Sequence, residues 1–95
     1  MTEITLEETE TKGRYVYQEA GRPEAEMTFS KAGEHMLIID HTGVPEAYKG
    51  EGVGRRLVTR AVEDARKNKK KILPLCPFAA AEFRKHPDWA DVLSK

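Results

Sequence analysis

Residues 48–57 read Tyr-Lys-Gly-Glu-Gly-Val-Gly-Arg-Arg-Leu. The chain has only seven glycines, and this stretch places three of them, Gly50, Gly52 and Gly54, at alternate positions. Glycine lets a backbone turn with positive φ and puts no side chain between its amides and a ligand. The period then changes. From Gly52 onward Val53, Leu57, Val58, Ala61, Val62 and Ala65 recur at helical spacing, with arginines and acids between them. That spacing predicts an amphipathic helix from Gly52 to about Asn68. A helix start carries N–H groups without intrahelical acceptors and the positive end of the helix dipole. A glycine turn leading into a helix start is therefore an anion seat.

Upstream of the turn the period is two. Arg14 to Glu19 is rich in aromatic and β-branched residues, and Glu24 to Ser30 alternates Ala25, Met27 and Phe29 against Glu26 and Thr28. His35 to Val44 forms a third strand whose consecutive apolar core, Met36 to Ile39, predicts cover on both faces. Short Gly-containing turns join the three, which predicts an antiparallel meander. Residues 1 to 12 are polar and fit either a short edge strand or a loose start. Downstream, Ile72 to Leu75 reads as a short buried strand, Phe78 to Lys85 as a second helix and Asp88 to Leu93 as a last short one. Strand, glycine turn, helix and strand make a β-α-β crossover, with the last two strands parallel. The predicted class is α/β, more closely α+β: a meander continued by one crossover, in a single domain over residues 1–95.

Composition narrows the functions. No apolar run approaches membrane-spanning length, and the acidic start lacks a signal-peptide core. The single cysteine, Cys76, rules out an internal disulfide and fits a reducing compartment, with the cytoplasm as the default. His35, His41, His86 and Cys76 show no metal-ligand spacing, so no metal is expected. Net charge is zero, yet residues 1–50 carry five Lys/Arg against ten Asp/Glu and residues 51–95 carry eleven against six. The basic half begins at the glycines, which suits an anionic ligand. Nucleic acid fits less well, because aromatic residues are not interleaved with the basic positions.

Two nucleotide motifs fail. The dinucleotide-binding fingerprint needs a third glycine where Arg55 stands, and the phosphate loop needs a closing Gly-Lys-Ser/Thr. Lys49-Gly50-Glu51-Gly52-Val53-Gly54 instead resembles the Gln/Arg-x-x-Gly-x-Gly/Ala turn of the GNAT acetyltransferase superfamily. The likeness extends through residues 41–46 (HTGVPE), 74–78 (PLCPF) and 86–89 (HPDW) to a small stand-alone family within it, from about Arg14 to the end.

The resemblance implies a minimal acyl-CoA N-acyltransferase fold that binds acetyl-coenzyme A and transfers acetyl to a primary amine. It implies that the N–H groups of residues 49 to 54 wrap the diphosphate, with Arg55 close by. The parting strands near Val44 would offer main-chain donors to the pantetheine arm. Lys85 and the run Lys69 to Lys71 are candidate partners for the 3′-phosphate, against the plainer reading of charge runs as solvated faces.

Two residues carry the candidate chemistry. His41, near the end of the third strand, is either a base for the amine or a half-buried histidine bonded to a neighbour. Strand alternation puts Asp40 on the opposite face, and Glu46 reads as a solvated loop charge. By the resemblance, Cys76 stands where relatives have a cofactor-contacting asparagine, and Phe83 where they have the tyrosine that protonates the leaving thiolate. Phe83 can only pack. Cys76 then fits a weak acid, a nucleophile that accepts acetyl, or a small core residue.

The rival reading is a coenzyme A-binding module without turnover, with RNA binding behind it. The sequence leaves the acceptor open and suits a monomer or a weak homodimer.

Overall fold

A computed structural model of the chain describes residues 4–94. Its elements are β1 (Ile4–Glu8), β2 (Lys12–Tyr17), β3 (Ala25–Lys31), β4 (Met36–Gly43), α1 (Val53–Lys67), β5 (Lys71–Pro74) and α2 (Pro77–Lys85). A single 3-10 turn covers Glu46–Tyr48, and a six-residue 3-10 segment covers Pro87–Val92. The five strands lie in chain order in one sheet. The first four pair antiparallel and β5 joins β4 in parallel. Of the two readings open for the amino-terminal residues, the edge strand holds over Ile4–Glu8, so the meander has four strands. Residues 1–3 lie outside the described residues.

The alternation of the strands decides which face is covered. Tyr15, Tyr17, Ala25, Met27, Phe29, Leu37, Ile39 and Ile72 fall into one buried cluster with Leu57, Val58, Ala61, Val62 and Ala65 of α1. Each large apolar side chain taken from water contributes about 1.5–3 kcal/mol, so this stripe outweighs any surface pairing. Polar tips inside the cluster are satisfied: the Tyr15 hydroxyl donates to Asp64 Oδ2 at 2.8 Å. Ala79 and Phe83 of α2 and Trp89 and Val92 of the last turn close the same core.

The covering predicted for both faces of β4 does not form. Leu37 and Ile39 are buried, whereas Met36 and Ile38 are only half-buried. All the helical cover gathers on one face. On the other, Arg14 alone brings together Glu7, Glu24 and Glu26, each at 2.8 Å.

Tyr48 ties the fold to the glycine turn. Its ring is buried edge-on against Tyr17, with centroids 5.5 Å apart, and its hydroxyl accepts the Glu19 N–H at 3.1 Å. The residue just before the glycines is thus pinned into the core, which fixes where the turn begins.

Candidate active site at the start of the long helix

Gly50 and Gly52 have φ of 80° and 74°, the left-handed region that L side chains rarely adopt. A Cβ on either would meet nothing within 4 Å, so the backbone there is open to solvent. Gly52 is the N-cap of α1, and no side chain caps the helix. The amides divide into two groups. Lys49 N–H donates to Glu46 O at 2.9 Å, closing the 3-10 turn, and Glu51 N–H donates to Tyr48 O at 3.0 Å in the turn that follows. The N–H groups of Gly50, Gly52, Val53, Gly54 and Arg55 meet no acceptor among the described residues. The expectation that every amide from 49 to 54 is available is corrected on this point: two are consumed by these turns, and the open row runs on to Arg55.

Gly54 is glycine for a different reason. A Cβ there would come within 2.6 Å of Phe78 Cζ. Its absence lets the first turn of α2 press an aromatic ring onto the first turn of α1.

The open amides face a cleft of about 650 Å³ whose lining includes Val44, Lys49, Gly50, Gly52, Val53, Gly54, Arg55 and Lys85. Thr42, Tyr48, Phe78 and Glu82 complete it. Glu51 is not in the lining; its carboxylate turns away to Arg22 at 2.9 Å. A cleft of about 780 Å³ on the other flank of α1 is larger but is lined by no residue of β4, β5 or α2. Lys69 and Lys70 lie past the far end of α1, about 20 Å from the turn at 1.5 Å per residue, and Lys71 Nζ donates to Asp91 O. The lysine run therefore stands apart from the glycines.

Two irregularities in β4 shape the other wall. Parallel pairing with β5 stops at Ile39 and Pro74, and Ile39 O accepts both Leu75 N–H and Cys76 N–H at 3.1 Å. β4 continues to Gly43 paired with β3 alone, so the two strands part. Opposite them the β3–β4 register slips: Thr28 faces His41 and Phe29 faces Ile39, which leaves Asp40 as an extra residue. Such a bulge shifts the alternation by one.

The bulge overturns the expectation that Asp40 and His41 point to opposite faces. Asp40 Oδ2 accepts from Ser30 Oγ at 2.7 Å, and His41 pairs with Thr28, both on the face away from the helices. His41 is exposed; its carbonyl accepts from Thr28 Oγ1 at 3.5 Å, while its imidazole, which lies over Gly43, meets no hydrogen-bond partner among the described residues. The same shift turns Thr42 inward, opposite buried Met27.

Neither His41 nor Cys76 is among the residues lining the cleft; Cys76 lies behind it, joined to the lining through Thr42. Cys76 Sγ donates to Thr42 Oγ1 at 3.3 Å, and the residue is the N-cap of α2. Burial pushes the thiol up. The Thr42 hydroxyl and the N–H groups of Ala79, Phe78 and Thr42 pull it down further, so it ionises below its ordinary value. The structure does not bring His41 and Cys76 side by side: they stand on opposite faces of β4, at the place where β4 and β5 part.

The family model described as GCN5-related N-acetyl-transferase matches residues 14–92. The chain belongs to the GCN5-related N-acetyltransferase family. No curated protein matches it. Among solved structures, it is similar to the solution structure of a GCN5-like protein from Staphylococcus aureus described as a candidate N-acetyltransferase. The identity is 32%, the match covers 95% of this chain and 87% of that one, and the TM-score is 0.71. The mostly antiparallel five-stranded sheet and its helices share that neighbour's fold, and acetyl transfer is the class of reaction the family assigns.

Within this family member, Phe83 is buried and packs edge-on against Trp89, with centroids 5.4 Å apart. Sequence reasoning missed Glu82. Its side chain is 4% exposed, Arg55 Nε donates to its Oε1 at 3.1 Å, and Lys85 Nζ lies 3.7 Å from Oε2. The signal was present: Glu82 falls on the same helical stripe as Ala79 and Phe83, where a carboxylate is rarely buried unless paired. No group of acids, histidines and Cys76 among the described residues could hold a metal ion. No described helix is long and apolar enough to cross a membrane.

If Thr42 depresses the thiol, alkylation of Cys76 by iodoacetamide rises with pH around a midpoint below the ordinary thiol value. In Thr42→Val that midpoint moves up, because the lost hydroxyl stabilised the thiolate. An unmoved midpoint would show that the main-chain amides of Ala79, Phe78 and Thr42 act without the hydroxyl.

Proposed function

We propose that the chain binds acetyl-coenzyme A in the cleft at the start of α1 and transfers the acetyl group to a primary amine. The observation that carries this reading is the row of unbonded amides at Gly50 and from Gly52 to Arg55, opened by two glycines of positive φ. A diphosphate offers only acceptors, and this seat offers only donors, with Lys49 beside it. Past Ile39 no ladder joins β4 to β5, which leaves the main chain around Val44 open to an amide-bearing pantetheine arm.

The residues divide the work as follows. The Cys76 thiolate attacks the thioester carbonyl and takes the acetyl group, and the coenzyme departs as a thiolate that picks up a proton. His41 takes a proton from the incoming ammonium group, giving the free amine. That amine attacks the acetyl-cysteine carbonyl; the amide forms, a proton is released and the Cys76 thiolate returns. In this reading the acceptor approaches from the outer face, where His41 stands, and the donor from the helix face. A reducing compartment such as the cytoplasm keeps Cys76 as a thiol.

A second reading, binding without turnover, is favoured by one observation: Phe83 is a buried ring with no hydroxyl to protonate a thiolate. RNA as a ligand finds little support in α1. Arg60 and Arg66 are paired with Asp64 and Asp91, and Arg56 donates to the Tyr17 hydroxyl.

The test couples calorimetry to a thiol-release assay. Coenzyme A binds with a measurable heat, and thiol release from acetyl-coenzyme A accelerates when a panel of primary amines is added. Binding with no amine-dependent release would support the module over the enzyme, and no binding would remove both.

A further inference from the structure

Glu82 takes no part in the turn, the parted strands or the thiol, yet it is a carboxylate at 4% exposure beside two cations at 56% and 61%. A buried carboxylate persists only where cations compensate it. What it does to those cations is informative. Arg55 meets Glu82 through Nε alone, and its two terminal nitrogens have no partner among the described residues. Lys85 Nζ sits at 3.7 Å from the other carboxylate oxygen. His86 leaves that arrangement undisturbed: its Nδ1 bonds the Glu82 carbonyl at 2.8 Å, its ring stacks on Trp89, and it stands 3.8 Å from Oε1. One fixed acid on α2 thus gathers a guanidinium from α1 and an ammonium from its own helix at the rim of the cleft.

We propose that Glu82 is a positioning residue that holds Arg55 and Lys85 as a two-cation clamp for a phosphomonoester, the 3′-phosphate of the coenzyme. The proposal rests on the reading of the cleft as a coenzyme A site. The chemistry separates the two phosphate groups. The open amides suit a diphosphate, a phosphoanhydride whose two phosphorus centres each carry one charge. A phosphomonoester carries about −1.5 to −2 charges on three oxygens, which match a guanidinium edge and an ammonium better than neutral amides. Long exposed side chains lose rotamer freedom on binding, and anchoring Arg55 by Nε removes part of that loss beforehand.

Calorimetry with coenzyme A and dephospho-coenzyme A tests this on the intact chain. Wild type is expected to prefer coenzyme A by about tenfold or more, the scale of charge-assisted hydrogen bonds to one phosphate. Glu82→Asp keeps the charge but shortens the reach to Nε. It is expected to bring the preference to within about twofold while dephospho-coenzyme A binds as before. Arg55→Lys, at an exposed position that does not threaten folding, keeps the charge without the fork and should do the same. A preference that survives in a folded Glu82→Asp, or in Arg55→Lys if Glu82→Asp fails to fold, overturns the clamp. Equal binding of both coenzymes by wild type overturns it too and leaves the cleft reading intact. No binding of either would remove the cleft reading and the clamp together.

Discussion

Gly52→Asp lowers coenzyme A affinity by about a hundredfold or more while the protein stays folded. The size follows from charge: two like charges about 4 Å apart repel by roughly 1 kcal/mol in water and about 4 kcal/mol near a protein surface. A carboxylate at the N-cap stands where the reading puts the diphosphate, and it also becomes a local acceptor for the amides the ligand needs. The fold survives because a side chain at Gly52 has open space around it. Aspartate also tolerates the left-handed region better than most residues. Gly33→Asp is the matched control. Gly33 has the same φ of 74° and the same open surroundings, but it sits in the β3–β4 turn away from the cleft. Calorimetry on the two variants separates strain from charge: both lose a little stability, and only Gly52→Asp loses the ligand. Full affinity in Gly52→Asp would take the glycine turn out of the binding site.

What could be read in the sequence was whatever one element states about itself. The alternation of Ala25, Met27 and Phe29 sets β3, and the helical recurrence from Val53 to Ala65 sets α1 to within a residue at each end. The glycine turn declared itself by spacing, and the family likeness drawn from it agrees with the family match over residues 14–92. What could not be read depends on pairs of elements. The bulge at Asp40 belongs to the register between β3 and β4, and no residue type in either strand marks it. It nevertheless decides that His41 faces outward and Thr42 faces Cys76.

The amide count has the same character. The Lys49 and Glu51 amides are consumed by the 3-10 turn and the turn after it, on either side of Tyr48, which is anchored beside Tyr17 and Glu19. Gly54 looked like a third clear spot for the ligand, and its spacing said nothing of Phe78. Glu82 went unnoticed because its partner, Arg55, lies in another helix. Local periodicity therefore marked the candidate site, and contacts between distant segments decided which side chains face it.

Cys76→Ala abolishes covalent labelling by acetyl-coenzyme A and slows acetyl transfer by roughly 10²–10⁴, the range for loss of a group that moves a proton or bonds the substrate. The environment of the sulfur makes this more than a guess from its position. Cys76 caps α2, bonds Thr42 and ionises below its ordinary value, so at neutral pH more of it is thiolate than an isolated thiol would be. Exchange of acetyl between two thiols breaks one thioester and forms another, so the first step is nearly balanced in energy, and the later attack by an amine drives the sequence toward the amide. Mass spectrometry of the wild-type chain after brief exposure to acetyl-coenzyme A should place one acetyl group on the peptide carrying Cys76. Neutral hydroxylamine should remove it, as it removes thioesters and spares acetylated lysine. If Cys76 only donates a proton, the rate falls in Cys76→Ala but wild type never carries the label. If the label persists in Cys76→Ala, another residue holds the acetyl group and the sulfur is a packed cap of α2.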